Sequence, residues 1–296
     1  MPYLHSINQK TISMNTIIKV IVLSLSLIVV KANAQDFQGI AIYKSKRKLD
    51  IKLDSTQVNS EMHQQMMEML KKQFEKTYNL SFNKEESIYK EEESLAPPQP
   101  AGGMQIVIAN TGGADILYKN TKDKRYTNQN DVFGKIFLIQ DKLEKIDWKL
   151  ESETKNIGEY ACFKATTTRE REKRVGGISI NKEKDLDTEE EKKAPEMETI
   201  TITAWYTPQI PVSTGPGNYY GLPGLILEVN DGSETVICSK IVINPQEGVD
   251  ISEPKKGKNV TQAEFDEIME KKMKEMKERY NSDRKDGHQI EIKIGG

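Results

Sequence analysis

The sequence predicts a mainly β domain of the α+β class: a bent antiparallel meander sheet, half-barrel-like, with a helix after the first strand and a C-terminal helix. Three observations favour this fold. Short segments alternate apolar and polar residues, Asn, Asp and Gly separate them at hairpin-like spacing, and only two segments carry apolar residues at helical spacing. Strands joined by such short turns pair antiparallel.

The first thirty-four residues have the pattern of a secretory signal. Lys19 precedes an apolar run at residues 20–30, and Lys31 and a small-residue motif ending at Ala34 follow it. The eleven residues between the lysines, nine of them apolar, are too few for a spanning helix, which needs about 20. We therefore expect cleavage after Ala34.

An upstream extension is also expected, because Met14 begins a more typical signal than Met1 does. Cleavage leaves residues 35–296 as one β-rich domain without a transmembrane segment, in the periplasm of a Gram-negative cell or secreted. Removing three lysines and no acids changes 43 basic and 45 acidic residues to 40 and 45, a formal charge of −5. That balance, with no basic stripe, argues against a nucleic-acid partner.

The first predicted elements are a strand at residues 38–44 and an amphipathic helix at residues 56–78, where Met and aromatic residues recur three and four positions apart. Further strands are expected at residues 78–83, 86–91, 115–119, 124–127, 135–140, 148–154, 158–168, 199–206, 225–229 and 235–243. Proline and glycine make residues 95–103 a loop.

The C-terminal part of the chain contains a charged insertion and a second helix. Twelve of the seventeen residues at 182–198 are charged, which predicts a solvated insertion. Thr261 and Glu264 form a capping box that begins an amphipathic helix. Residues 289–294 alternate and predict a last strand.

The segment from Ala204 to Val229 is the most unusual part of the sequence. It predicts a strand, a stiff loop rich in Pro, Gly and Tyr, and another strand. Pro223 and Gly224 suit the two central positions of a type II turn, because proline fixes φ at the first and glycine supplies positive φ at the second. Gly221 lies in the same predicted turn.

These residues resemble the GLPGLI family of exported bacterial proteins of uncharacterised function, named for the hexapeptide found here at residues 221–226. The resemblance extends to Trp148, residues 158–166, the Ala204-Trp-Tyr triplet and the Gly215-Pro pair. It implies export and a β-rich domain, and it carries over no catalytic residues. Similar modules preceding the catalytic domain of a secreted glycan amidase suggest an accessory or binding role.

The leading functional hypothesis is a non-enzymatic envelope protein that binds a partner protein or an extended or hydrophobic ligand. Rigid aromatic side chains supply contact area at low entropic cost, and the predicted surface consists of Trp205, Tyr206, Tyr219, Tyr220, Leu222 and Pro223. The alternative is that the same residues close the core. A rival hypothesis is a carboxylate-dependent hydrolase acting on glycans or peptides.

Catalytic and metal-binding signals are sparse in the sequence. After cleavage only His63 and His288 remain, which disfavours histidine-based triads and zinc sites. Glu228 and Asp231 are the first acid pair to test, although strand and turn roles explain both. Methionine stripes on the two helices suit Cu(I), but packing on the sheet is the simpler interpretation. No cofactor or metal is predicted.

Cys162 and Cys238 both lie in predicted strands. An even cysteine count in an exported protein permits a disulfide between them. Two free thiols are the alternative, because sequence cannot show whether their Cα atoms come within about 7 Å.

Overall fold

The computed structural model describes residues 37–48, 75–92, 116–132, 134–172, 177–180, 197–283 and 290–293. The chain divides into two units, Met1–Phe37 and Gln38–Gly296, and every element described below lies in the second. Within the described residues this unit is mostly β, with fourteen strands and one helix.

The strands are β1 (Gly39–Arg47), β2 (Lys76–Phe82), β3 (Glu86–Glu91), β4 (Ile116–Asn120), β5 (Arg125–Val132), β6 (Lys135–Lys142), β7 (Lys149–Ile157), β8 (Tyr160–Glu172), β9 (Gly177–Ile180), β10 (Met197–Thr207), β11 (Leu225–Asn230), β12 (Glu234–Ile243), β13 (Lys258–Val260) and β14 (Ile290–Lys293). The helix, α1 (Gln262–Asp283), lies between β13 and β14.

Twelve strands form one sheet in the order β13-β6-β5-β4-β3-β2-β1-β12-β11-β10-β8-β7. The first six strands of the chain are successive neighbours, and so are β7, β8, β10, β11 and β12. The sheet therefore consists of two antiparallel meanders, which join where β1 pairs with β12. Strand β13 runs parallel to β6, and β9 and β14 form a separate antiparallel pair.

The predicted antiparallel meander is thus confirmed in outline, and β9 and β13 are strands that the sequence did not predict. The predicted helix at residues 56–78 lies outside the described residues except at its end, where the prediction is wrong because Lys76 to Tyr78 begin β2. The ring of Tyr78 stacks on Tyr89 of β3 with centroids 4.8 Å apart. This cross-strand contact places Tyr78 in the sheet.

The charged insertion also has a corrected boundary. Residues 182–196 lie outside the described part of the chain, but Met197 and Glu198 are the first residues of β10. Glu198 is held there by an ion pair with Arg171 of β8, with 2.7 Å between Nε and Oε1. Strand pairing, rather than composition, decides where the insertion ends.

The connection between β6 and β7 shows that the sheet is not flat. These strands are ten positions apart in the sheet order, so a flat sheet would separate them by about 48 Å. Only the six residues 143–148 join them, and an extended chain of that length reaches about 25 Å. The sheet must curve to bring the two strands within that reach.

The buried face of the sheet holds most of the apolar core. Along β1 the buried residues alternate, with Ala41 and Tyr43 inside. Helix α1 covers the β5–β6 end of the sheet, where the ring of Phe265 packs edge-on against Phe137 with centroids 5.5 Å apart. No helix in the described part of the chain has both the length and the apolar character needed to cross a membrane.

The predicted capping box of α1 is confirmed. The amide of Glu264 donates to the hydroxyl of Thr261 at 3.2 Å, and the Thr261 amide donates to the Glu264 carboxylate at 2.8 Å. The carboxylate is bound by the Thr261 amide and hydroxyl, and these contacts hold the pKa of Glu264 below its usual value. The helix therefore begins where the sequence predicts.

The docking of α1 can be tested by replacing Phe265, which is 9% exposed. Phe265→Ala should lower the free energy of unfolding by about 3 kcal/mol, because it removes a ring that packs in the core. The matched control is Met273→Ala on the same helix, at a side chain 45% exposed, with an expected change within about 0.5 kcal/mol. Urea unfolding of both variants measures the difference, and equal values would contradict this packing.

Candidate functional site: the loop between strands β10 and β11

Residues 208–224, called here the motif loop, connect β10 to β11 and are shaped by two tight turns. The amide of Gly224 donates to the carbonyl of Leu222 at 2.8 Å, across Pro223. The amide of Val212 likewise donates to the carbonyl of Ile210 across Pro211, also at 2.8 Å. Such bonds close γ-turns, and the φ of proline, near −65°, fits their central position. The prolines therefore give the loop its shape.

The predicted type II turn at Pro223 and Gly224 is wrong in its geometry. Gly224 does not have a positive φ, whereas Gly221 does, at 93°. Glycine is required at position 224 for space, because a Cβ atom there would lie 2.2 Å from the carbonyl oxygen of Thr207. Close approach of two backbones, rather than a left-handed conformation, explains this glycine.

The apolar side chains of the motif loop are part of the core. Ile210, Val212 and Leu222 are at most 2% exposed. Leu222 packs in a cluster with residues of β8, β10 and β11, namely Ala165, Ile200, Ile202, Ala204, Tyr206, Ile226 and Val229. The loop is therefore a layer on the buried face of the sheet, and the alternative that these residues close the core is correct for Leu222 and Tyr206.

The ammonium of Lys119 on β4 is fully buried under this loop. Its Nζ donates to the backbone carbonyls of Gly215 at 2.8 Å, Gly217 at 2.6 Å and Tyr219 at 3.3 Å. These are three acceptors for the three N–H donors that an ammonium carries. Among the described residues, no carboxylate pairs with it. The loop backbone itself solvates this charge.

Burial lowers the pKa of Lys119 to about 7, because the charged form loses its hydration. The three carbonyl acceptors work in the opposite direction, since they are satisfied in full only by the protonated amine. The Lys119 ammonium is therefore the main form in the folded protein below about pH 7.

Two aromatic side chains tie the motif loop to the β6–β7 connection. The indole Nε1 of Trp148 donates to the carbonyl of Tyr220 at 2.8 Å. The hydroxyl of Tyr220 lies 3.1 Å from the carbonyl oxygen of Leu143 and 2.9 Å from that of Glu144. The connection that spans the curved sheet thus packs on the loop and fixes its outer side.

Strands β1 and β3 of the first meander also form hydrogen bonds with β11 and with the motif loop. The hydroxyl of Tyr43 on β1 donates to the carbonyl of Ile226 at 2.7 Å. The hydroxyls of Ser87 on β3 and Thr214 in the loop lie 2.9 Å apart. Burial raises the pKa of Tyr43 well above its usual value, so its hydroxyl remains a donor. These bonds link β11 and the motif loop to residues far away in sequence.

The six predicted surface residues do not form one exposed surface. Tyr206 and Leu222 are buried, Tyr219 and Tyr220 are half-buried, and Pro223 is exposed. Trp205 and Tyr206 are consecutive in β10, so their side chains lie on opposite faces of the sheet. A binding role stays a prediction for the residues of this set that are not buried, namely Trp205, Tyr219, Tyr220 and Pro223.

Trp205 lies on the outer face, where a cation covers its ring. The Nζ of Lys155 is 4.4 Å from the centre of the indole and 2.7 Å from the carboxylate of Glu228. One ring face is therefore occupied by a cation–π contact. That ring face of Trp205 is therefore not open to a binding partner while Lys155 covers it.

An exposed apolar patch lies beside the motif loop, and the sequence did not single it out. Leu150 is 56% exposed and Phe163 is 38% exposed. Leu150 pairs with buried Ala165, and Phe163 pairs with buried Tyr206, so both share the core-facing side of the sheet. Together with half-buried Trp148, two positions before Leu150, they are called here the edge patch. Only strand pairing brings these residues together.

The edge strand β7 carries a bulge that protects its free edge. Between two paired positions, residues 151–153 stand opposite the single residue Lys164 of β8. Glu151 and Glu153 both pair with the Lys164 ammonium, at 3.2 and 2.8 Å. Bulges and charged side chains are devices that prevent another strand from adding to an edge.

The first acid pair that the sequence offered is held in structural contacts. Asp231 lies in the hairpin turn after β11, where its Oδ1 accepts from the amides of Ser233 and Glu234 at 2.9 and 2.7 Å. Burial raises the pKa of Asp231, but these hydrogen bonds outweigh it and hold the pKa below its usual value. Glu228 pairs with Lys155. A general acid requires a raised pKa, which is the opposite of the shift at Asp231.

Both cysteines are free thiols in the structure. The Sγ of Cys162 donates to the carbonyl of Tyr160 at 3.6 Å, and the Sγ of Cys238 donates to that of Lys240 at 3.5 Å. Burial raises the pKa of Cys162 to about 11 and that of Cys238 to about 12. Neither thiol has the lowered pKa of a reactive cysteine.

The residues considered for metal binding are only partly described. His63, His288 and the methionines of the first predicted helix lie outside the described residues, whereas Met269 of α1 packs against the core. Within the described part of the chain, no three His, Cys, Asp or Glu side chains are grouped to hold a metal ion.

A sequence model of the family described as "Protein of unknown function (Porph_ging)" matches residues 148–228, which include the motif loop. No curated protein matches the chain. Two solved structures titled as PNGF-II, in space groups C2 and P21, are similar at 16% identity with a TM-score of 0.44. The matches cover 78% and 79% of this chain but 32% and 33% of the other, so the protein spans about a third of that chain.

The spatial requirement at Gly224 generates a stability prediction. Gly224→Ala should lower the free energy of unfolding by more than about 2 kcal/mol, because the new methyl group clashes with a fixed carbonyl. The control is Gly217→Ala, at a φ of 53° with open space around the Cβ position, which should cost about 1 kcal/mol. Chemical denaturation distinguishes the two, and a larger effect at Gly217 would show that conformation matters more than space.

The lowered pKa of Lys119 generates a pH prediction. Between about pH 7 and the usual lysine value near 10.4, the unfolded chain binds more protons at this residue than the folded chain. The contribution of Lys119 to the free energy of unfolding should therefore rise with pH across that window, by up to about 1.4 kcal/mol per pH unit. The measurement is the difference in unfolding free energy between wild type and Lys119→Met from pH 6 to 10. A flat difference would contradict the lowered pKa.

Proposed function

We propose that this protein is an exported envelope protein of the GLPGLI type that acts as a non-enzymatic binding module for a partner protein. The edge patch of Trp148, Leu150 and Phe163 is the proposed contact surface. The observation that carries the proposal is that Leu150 and Phe163 are exposed beside a rigidly held loop.

Export is supported by the signal-like sequence before Gln35 and by the family resemblance. The proposed location is the periplasm or the cell exterior. The curvature required by the short β6–β7 connection favours a half-barrel-like sheet, with the motif loop layered on its buried face. This arrangement leaves the β7 edge as the place where apolar side chains reach the surface.

Binding is supported by the way the patch is built. Contiguous exposed apolar residues on a soluble domain mark interaction sites more often than isolated ones do. Trp148 is immobilised by its bond to Tyr220, and Phe163 lies 6.1 Å from the ring of Tyr206. A surface ordered before binding loses little entropy when it is covered.

The proposed occupant is a partner protein that inserts apolar side chains at the patch. Strand addition at β7 is disfavoured, because the bulge opposite Lys164 breaks the regular ladder that a new strand would follow. Docking by side chains onto a fixed apolar surface needs no such ladder. The ion pairs of Lys164 with Glu151 and Glu153 would then form a polar border.

The proposal predicts that charge at the patch abolishes capture. A double variant, Leu150→Glu with Phe163→Glu, should reduce recovery of the envelope partner at least tenfold, because docking would desolvate the new carboxylates. Leu150→Glu alone should change the melting temperature little, whereas Phe163→Glu also removes a ring that lies 6.1 Å from that of Tyr206. Thermal unfolding of both single variants is therefore measured alongside. The assay is a pull-down from envelope extract, with photo-crosslinking from position 163 to identify what lies on the patch.

The matched control is Met273→Glu, at an exposed apolar side chain on α1. It should capture the partner as wild type does and give no cross-link when the photoreactive group is moved to position 273. Equal recovery by all three proteins would contradict the patch as the binding surface. Loss of recovery by all variants alike would indicate a general effect of added negative charge and would also contradict it.

A further inference from the structure

The carbonyl oxygens of Gly215, Gly217 and Tyr219 converge on one point, which the Lys119 Nζ occupies at 2.8, 2.6 and 3.3 Å. Backbone carbonyls gathered in this way are the ligands that proteins use for cations. Two of the carbonyls belong to glycines, and Gly217 has a φ of 53°. We call these three oxygens the carbonyl cage.

We propose that the carbonyl cage is a cation site for an ammonium group, and that Lys119 is the positioning residue that fills it and so orders the motif loop. The positioning role rests on the proposed function, because the ordered loop supports Trp148 in the edge patch. The cation-site claim concerns the loop alone.

The chemistry of the cage suits an ammonium better than a guanidinium. A protonated amine presents three N–H donors in a tetrahedral arrangement, one for each carbonyl, whereas a guanidinium presents a planar fork. Lys119 lies on β4 between its register partners Ser87 and Tyr126, so its long side chain reaches the loop from the sheet. The strand fixes the ammonium, and the ammonium fixes the loop.

The link from cage to patch is short. Tyr219 supplies one cage carbonyl, and the next residue, Tyr220, accepts the indole N–H of Trp148 at 2.8 Å. The Trp148 and Tyr219 rings also pack, with centroids 6.4 Å apart. Loss of the cation would free carbonyls that need partners and would disturb the environment of Trp148. The fluorescence of that indole therefore reports on the cage.

The test removes the tethered ammonium and supplies a free one. In a Trp205→Phe background, which leaves Trp148 as the single indole, Lys119→Ala should lower the melting temperature by about 5 °C or more and shift the emission of Trp148 to longer wavelength. Propylammonium, which replaces the deleted carbons and amine, should reverse both changes with saturable dependence on concentration.

Tetramethylammonium is the matched control ligand, because it carries the same charge without an N–H donor. It should leave the variant unchanged, and a rescue equal to that by propylammonium would overturn the cation-site claim. Lys119→Met gives a second variant that fills the apolar part of the space. Emission and melting temperature like those of wild type in this variant would overturn the positioning role.

A measurement on the wild-type protein does not depend on the variants folding. Nitrogen-15 spectra at pH 6 should show Lys119 as an ammonium whose N–H protons exchange slowly with water, because all three are bound in a buried site. Fast exchange would overturn the proposal. None of these signals requires a partner, so failure of the proposed binding function would leave them unchanged.

Discussion

The rest of the structure depends on how the motif loop satisfies its backbone while lying on the buried face of the sheet. A buried carbonyl without a partner costs free energy comparable to a lost hydrogen bond, and residues 215–219 present three carbonyls inward. The Lys119 ammonium satisfies all three. The same bonds offset only part of its desolvation, since the pKa of Lys119 is still lowered to about 7. The loop carbonyls depend on the lysine for their hydrogen-bond partner.

This arrangement joins the two meanders of the sheet. Lys119, Ser87 and Tyr43 belong to the first meander, whereas the motif loop connects strands of the second. Pairing of β1 with β12 joins them through backbone bonds. Hydrogen bonds from side chains join them again, at Ile226 of β11 and at Thr214 of the motif loop. Trp148 and Tyr220 then attach the β6–β7 connection to the same loop. The curvature that the short connection requires is therefore fixed at several points.

The two faces near β7 have different chemistry. The outer face carries Trp205 under the Lys155 ammonium and the ion pairs of Lys164, so its charges are largely satisfied. The core-facing side ends at the sheet edge with Leu150 and Phe163 uncovered. Because consecutive strand residues lie on opposite faces, a run such as Trp205-Tyr206 divides between these environments. Of these two aromatic neighbours, Tyr206 therefore packs in the core and Trp205 lies on the outer face.

Local signals in the sequence determined the mainly antiparallel strands, the Asn230 to Gly232 hairpin and the capped helix α1, because alternation, turn residues and caps act over a few positions. The sequence also located the motif loop. Tertiary structure alone decided that Leu222 is core, that Gly224 is required by the carbonyl of Thr207, and that Lys119 is buried. These outcomes depend on contacts between residues up to 100 positions apart, and no local pattern encodes which carbonyl a distant lysine will meet.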